Sequence, residues 1–203
     1  MLSNLLPPGC HPLVATLLLL SWLTPGRSQE PVDAKRSNGW SELAAFRVKA
    51  AMEIFEEQLR EEPDGREARL GKALCLLGMQ PSTETHIRRA EAMLAELETN
   101  REEPFAAEAG YYHARIPDVY WRNRDAETAA RRYAQCLERF PGHPLADAAA
   151  VKLCQLRLFE LTGTDPAEIE SAFAWGGRMR SAIKSTSAVR DYFLVLADAA
   201  AFH

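Results

Sequence analysis

Residues 131–149 read RRYAQCLERFPGHPLADAA, and the organisation of the whole chain can be built outward from this stretch. Pro141 cannot continue a helix, so it ends the segment that carries Tyr133 and Cys136. Pro141, Gly142 and His143 make a turn, and the alanine-rich run behind them starts a second helix antiparallel to the first. Just upstream lies Ala129. A small residue lets two helices approach closely, and the large Tyr133 one turn later fills the groove beside it.

The same arrangement recurs with a period of 39 residues. Ala51, Ala90 and Ala129 are 39 apart, and so are Phe55, Leu94 and Tyr133. Ala68, Ala107 and Ala146 repeat it on the other helix of each unit. Pro63 comes after Phe55 as Pro141 comes after Tyr133, and Pro104 stands slightly later after Leu94. Repeated small–large pairs stack helical hairpins, each burying its apolar face on its neighbours. The expected fold is therefore all-α: about three to four stacked antiparallel helical hairpins.

The pattern predicts helices over 41–62, 66–77 and 84–98, with Ser82 or Thr83 as cap of the third. Further helices are predicted over 105–122, interrupted at Pro117, and over 126–139, capped by Asp125. Then come 145–161, stopped by Gly163, and 166–174, capped by Asp165 with Pro166 at its first position. Gly176 and Gly177 should interrupt the next stretch, and a last helix covers 188–202.

Residues 110–141 resemble one tetratricopeptide repeat. With Pro141 at the family's closing proline, Ile116 and Tyr120 take apolar positions of the first helix. Ala129 takes the small position of the second, Tyr133 its aromatic position and Cys136 its second small position. Ala51, Phe55 and Pro63 match in part, with Gln58 where a small residue is usual. Pro117 stands at the family's small position, and the period exceeds the family's usual length of about 34. The resemblance covers 40–161 and implies an α-solenoid. The FPGHPLADAA junction also resembles repeats of exported bacterial proteins, the Tol-Pal coordinators and outer-membrane assembly lipoproteins.

Composition agrees with a helical, protein-binding reading. The chain has 203 residues, 47% of them hydrophobic, and a formal net charge of −4. No block of Lys and Arg stands out, which argues against a nucleic-acid partner. Leu13 to Leu23 is an apolar run too short to span a bilayer comfortably, and Gly26 and Ser28 are spaced for cleavage before Gln29. Residues 1–28 are thus expected to be a signal peptide or, uncleaved, an inner-membrane anchor. Residues 29–39 are a polar lead-in expected to be flexible, and 40–203 form the repeat domain of an exported protein, expected in the periplasm.

Chemistry is sparse. No CxxC, HExxH, GxGxxG or P-loop sequence is present, so no catalytic residue, metal site or cofactor is expected. Glu56, Glu57, Glu61 and Glu62 read as a solvated face. Cys75, Cys136 and Cys154 read as buried small apolar residues. Cys136 and Cys154 would be offset by roughly 10 Å on adjacent helices, too far for a disulfide. By analogy with the family's concave groove, Tyr111, Ala114, Asp118, Trp121 and Arg122 would face a protein or peptide partner, extended by Lys152 and Gln155. Tyr, Trp and Arg are residue types that dominate binding hot spots. The expected function is a protein–protein interaction scaffold of the bacterial cell envelope. The alternative is a helical regulatory or substrate-presenting part of a larger enzyme or secretion complex.

Overall fold

The computed structural model describes residues 31–203, with side chains from residue 38 onward. The expected signal peptide or anchor and the first two residues of the lead-in lie outside the described residues. Among the described residues the chain is all-α, with nine α-helices and no strand. They are α1 (Pro31–Ala44), α2 (Val48–Glu61), α3 (Arg66–Gly78), α4 (Glu84–Glu98) and α5 (Ala106–Arg115). A π-helical turn, Ile116–Tyr120, extends α5. Then come α6 (Ala126–Arg139), α7 (Pro144–Phe159), α8 (Pro166–Met179) and α9 (Thr186–Phe202). From α1 to α8 each helix packs on the next, and α7 also touches α5 and α9.

The 39-residue period is a packing period. Ala51, Ala90, Ala129, Phe55, Leu94 and Tyr133 are all 0% exposed, so α2, α4 and α6 each present one small and one large residue to the core. Ala68, Ala107 and Ala146 are buried on α3, α5 and α7. Gly71, Gly110 and Ala149 form a further series on the same period, beyond those the sequence pattern singles out. All three are buried. A Cβ on Gly71 would land on the Phe55 ring, so this glycine is the seat of the Phe55 side chain. At Gly110 the nearest atoms leave more room, with Phe140 Cε2 at 3.1 Å from the position of an added Cβ.

The helix ends obey local chemistry. α2 stops ahead of Pro63 and α6 ahead of Pro141. Thr83, Asp125 and Asp165 cap their helices, accepting the backbone N–H of His86, Thr128 and Ala167. The last carbonyls of α4 and its exit loop are satisfied by side chains from two other helices. Arg66 donates to Leu97 O at 2.5 Å and Pro104 O at 3.1 Å, and Arg139 donates to Glu98 O and Thr99 O.

Three differences from the sequence-based expectation have physical causes. The polar lead-in is helical from Pro31, and its Gly39 is buried against Phe55; docking of α1 on α2 orders a stretch whose composition suggests mobility. The single helix expected over 41–62 is two helices. Phe46 adopts a left-handed φ of 59°. Arg47 N–H donates to Glu42 O and Phe46 N–H to Leu43 O, a complete Schellman turn with Phe in place of the usual Gly. Gly176 and Gly177 do not interrupt α8. Gly176 lies close under Leu196 of α9, and its carbonyl accepts the Tyr192 hydroxyl at 2.8 Å, so tertiary contact outweighs the weak helix propensity of glycine.

Asp147, 1% exposed, fastens the last helix. Its Oδ2 accepts the backbone N–H of Lys184 at 2.9 Å and of Ser185 at 2.6 Å, just ahead of α9. Cys75, Cys136 and Cys154 are free and buried, and burial pushes each thiol up to about 12. Among the described residues no helix is long and apolar enough to cross a membrane.

Candidate functional site

The richest polar arrangement lies where α5 ends. Pro117 has no N–H, so the His113 carbonyl loses its usual donor four residues on. It accepts instead from the Ile116 N–H and from Arg132 Nη1 at 3.2 Å. The chain then widens into the π-helical turn, closed by Trp121 N–H donating to Ile116 O at 3.1 Å. Such wide turns rotate the chain less per residue than an α-helix does, and they recur at functional sites.

Tyr111, Arg115 and Asp118 stand at i, i+4 and i+7, so they form one stripe along α5 and into the turn. Lys152 and Gln155 share a face of α7, the helix that touches α5. Asp118, 6% exposed, is the centre of the polar network. Its Oδ1 accepts Arg124 Nη2 at 2.6 Å and Nε at 3.1 Å, and its Oδ2 accepts the Tyr133 hydroxyl at 3.1 Å. Arg124 also donates to its backbone carbonyl at 2.7 Å, and through Nη1 to Glu160 Oε2 at 2.6 Å. Arg124 is thus fully engaged by two carboxylates.

Arg115 is different. Its Nε is buried without an acceptor, and among the described residues no hydrogen bond or ion pair reaches its guanidinium. Burial works against its charge, but the phenols of Tyr111, Tyr120, Tyr133 and Tyr112 around it favour the charged form, and its pKa is raised. The guanidinium lies over the Tyr112 ring, 5.9 Å from its centroid. Lys152 donates from Nζ to the neutral Gln155 Oε1 at 3.0 Å. Its pKa is lowered, first by burial; Asp118 opposes the shift, Arg115 and Arg124 add to it, and Glu160 opposes it. Burial likewise pushes the Tyr111 phenol up to about 12. Arg115 and Lys152 thus lie on touching helices, and the nearby acids Asp118 and Glu160 are both bound to Arg124.

Of the residues expected to line a groove, Tyr111 and Asp118 lie on one stripe of α5 and its π-helical turn, and Lys152 and Gln155 lie on α7, the helix that touches α5. Asp118 is buried in the network, and Ala114 is wholly buried. Trp121 goes elsewhere. Beyond the π-helical turn its indole packs with the α2–α4 core, and the Arg132 guanidinium lies 5.7 Å from its ring centroid. Arg132 in turn donates to Glu91 Oε1 at 2.7 Å. Arg122 is exposed and joins none of these contacts. Sequence reasoning misses Arg115, Arg124 and Glu160. The spacing of Tyr111, Arg115 and Asp118 is a usable signal for the first; nothing local marks the other two.

A concavity of about 480 Å³ opens between α6, α7 and α8, with Ala130, Leu153, Arg157 and Ala172 among its walls. It gathers none of the expected site residues. Among the described residues no three His, Cys, Asp or Glu side chains converge as a metal site would need. In comparison with known proteins, the chain matches no family model, no curated protein and no solved structure.

Proposed function

We propose that this protein is a scaffold that holds a segment of another protein along the face shared by α5 and α7. The helix pairs would stack as an α-solenoid of the tetratricopeptide type, and the role would be binding rather than catalysis. One observation carries the reading. Lys72, Leu76, Met79 and Leu94 lie one period before Tyr111, Arg115, Asp118 and Tyr133. In the earlier set Leu76, Met79 and Leu94 close an apolar core and Lys72 pairs with Glu56 at 2.9 Å, whereas the later set places two ionised groups and two phenols in the same frame. A core needs no such groups, and half-burying them costs stability, so their use is sought in recognition. The export expected from Leu13 to Leu23 would put this binding in the bacterial envelope.

A photo-crosslinking residue at Gln155, compared with one at the exposed Glu53 of α2, tests the scaffold. The expected result is one partner protein crosslinked from position 155 and not from 53, and recovered reciprocally when the partner is used as bait. Equal yields from both positions, or none from 155, would remove the α5–α7 face from the reading.

A second reading has its own support. Phe193, Leu194 and Phe202 of α9 are 54%, 56% and 65% exposed. Large apolar residues displayed together on one helix suit a packed interface, so in this reading the chain is a helical part of a larger assembly. Charged substitution of Phe193 and Leu194 should then abolish co-purification with that assembly while leaving the fold intact by circular dichroism.

A further inference from the structure

We propose that the outer face of α9 is a self-association surface, on which two copies of this chain pair their α9 helices antiparallel about a two-fold axis at Leu194. The inference rests on the reading in which α9 joins the chain to an assembly, and it names the other member as a second copy.

α9 is apolar on both sides. Its inner face, Ala188, Tyr192 and Ala199, is buried, and the helix packs on α7. On the opposite side Arg190, Leu194, Ala197 and Ala201 stand at i, i+4, i+7 and i+11, a single stripe with Phe193 along its edge, and all of them are exposed. The 17 residues of the helix carry only three charged side chains, Arg190, Asp191 and Asp198. A helix that is apolar all round belongs in an interior, and among the described residues nothing covers this stripe. The roll of α9 is fixed. The Tyr192 hydroxyl donates to Gly176 O at 2.8 Å, and Asp147 holds the backbone just ahead of the helix. The Phe193 ring stands edge-on to Tyr192, with 5.2 Å between centroids, so the exposed apolar groups are presented from a rigid base.

The charges and the shape of the face say what covers it. Arg190 stands four residues before Leu194, and Asp198 four residues after it. In an antiparallel pair with its two-fold at Leu194, each lies about 6 Å along the axis from the centre. Arg190 of either copy therefore meets Asp198 of the other. A parallel pair would instead set Arg190 against Arg190 and Asp198 against Asp198. Asp198 has no ion pair among the described residues, and Arg190 holds its neighbour Asp191 at 3.0 Å; an exposed pair of that kind is worth little and is readily exchanged. Leu194 meets its own counterpart on the axis, Phe193 shares a flank with its counterpart, and Ala197 and Ala201 let the two backbones approach. Such self-complementarity is what a two-fold interface requires. An anionic lipid surface fits less well, because α9 offers it one cation against two acids.

Sedimentation of the full chain over a wide concentration range tests the pairing, with circular dichroism as the check of fold. The expected result is a reversible monomer–dimer equilibrium in the micromolar range, since one helix pair is smaller than a standard interface. Leu194→Glu should abolish the dimer. Arg190→Asp and Asp198→Arg should each weaken it about tenfold, because the two-fold doubles each loss, and the double reversal should restore it. A monomer at every concentration, a dimer indifferent to Leu194→Glu, or a double reversal no better than either single one overturns the proposal. If the chain stays monomeric while charged substitution of Phe193 and Leu194 still costs it a co-purifying protein, self-pairing fails alone and that protein takes the face. If monomers instead bind anionic vesicles through Leu194, the occupant is a lipid surface and self-pairing fails as well. A dimer through Leu194 with no other protein recovered sinks only the larger assembly.

Discussion

The pairs α3–α4 and α5–α6 lie one period apart, and the same frame positions are filled in opposite ways. In the first, Leu76 is 4% and Leu94 0% exposed, and Met79 closes the end of α3 against the same apolar core. In the second, Arg115, Asp118 and Tyr133 take those places, and one hydroxyl and one guanidinium are needed to satisfy Asp118. The frame itself survives the exchange, because the small residues that set the helix approach are kept: Ala90 and Ala129 are both wholly buried. Backbone packing and side-chain chemistry are therefore separable in this chain. The first tolerates polar residues where a partner exists for them, and the second is free to specialise.

Four substitutions and one paired control, measured by urea unfolding, sharpen or break that contrast. Leu94→Ala strikes the apolar pair and should cost the most, about 2–5 kcal/mol, since the truncated side chain is wholly buried. Asp118→Ala strikes the polar pair and should cost about 2 kcal/mol, because it strands the Tyr133 hydroxyl; the half-exposed Arg124 can turn to water and limits the loss. If Asp118→Ala proved as costly as Leu94→Ala, the polar network would be a structural core rather than a specialised overlay. Next, Gly71→Ala should cost about 1–3 kcal/mol by driving a methyl into Phe55, and its control Gly110→Ala clearly less. Equal costs would show that the apolar units are no more tightly seated than the polar one. The smallest effect is expected from Tyr133→Phe, about 1 kcal/mol, which keeps the ring and removes only the hydrogen bond to Asp118.

Much of the fold is legible in particular residues. Pro63 and Pro141 mark helix ends, each just past the last helical residue, and Thr83, Asp125 and Asp165 mark helix starts. The period of Ala51, Ala90 and Ala129 foretells which face is buried. The site is only half legible. Tyr111, Asp118 and Lys152 stand out in the sequence, but carrying the family's groove positions over to Trp121 and Arg122 keeps them in phase with the residues ahead of Pro117. The π-helical turn breaks that phase and sends Trp121 to the α2–α4 core. Arg115 draws no notice in the sequence because an arginine on a helix is ordinarily solvated or paired.

The sequence by itself determined most of the helices, the stops at Pro63 and Pro141, and the buried stripe that repeats every period. These depend on neighbours within a turn or two and on the cost of exposing apolar surface. Only the tertiary structure decided that α8 runs through two glycines and that Arg115 is left without an anion. Those outcomes depend on what distant segments deliver. Leu196 and Tyr192 settle over Gly176. Arg124 captures both Asp118 and Glu160. Whether a charge is paired is a property of every helix around it, and no local spacing encodes it.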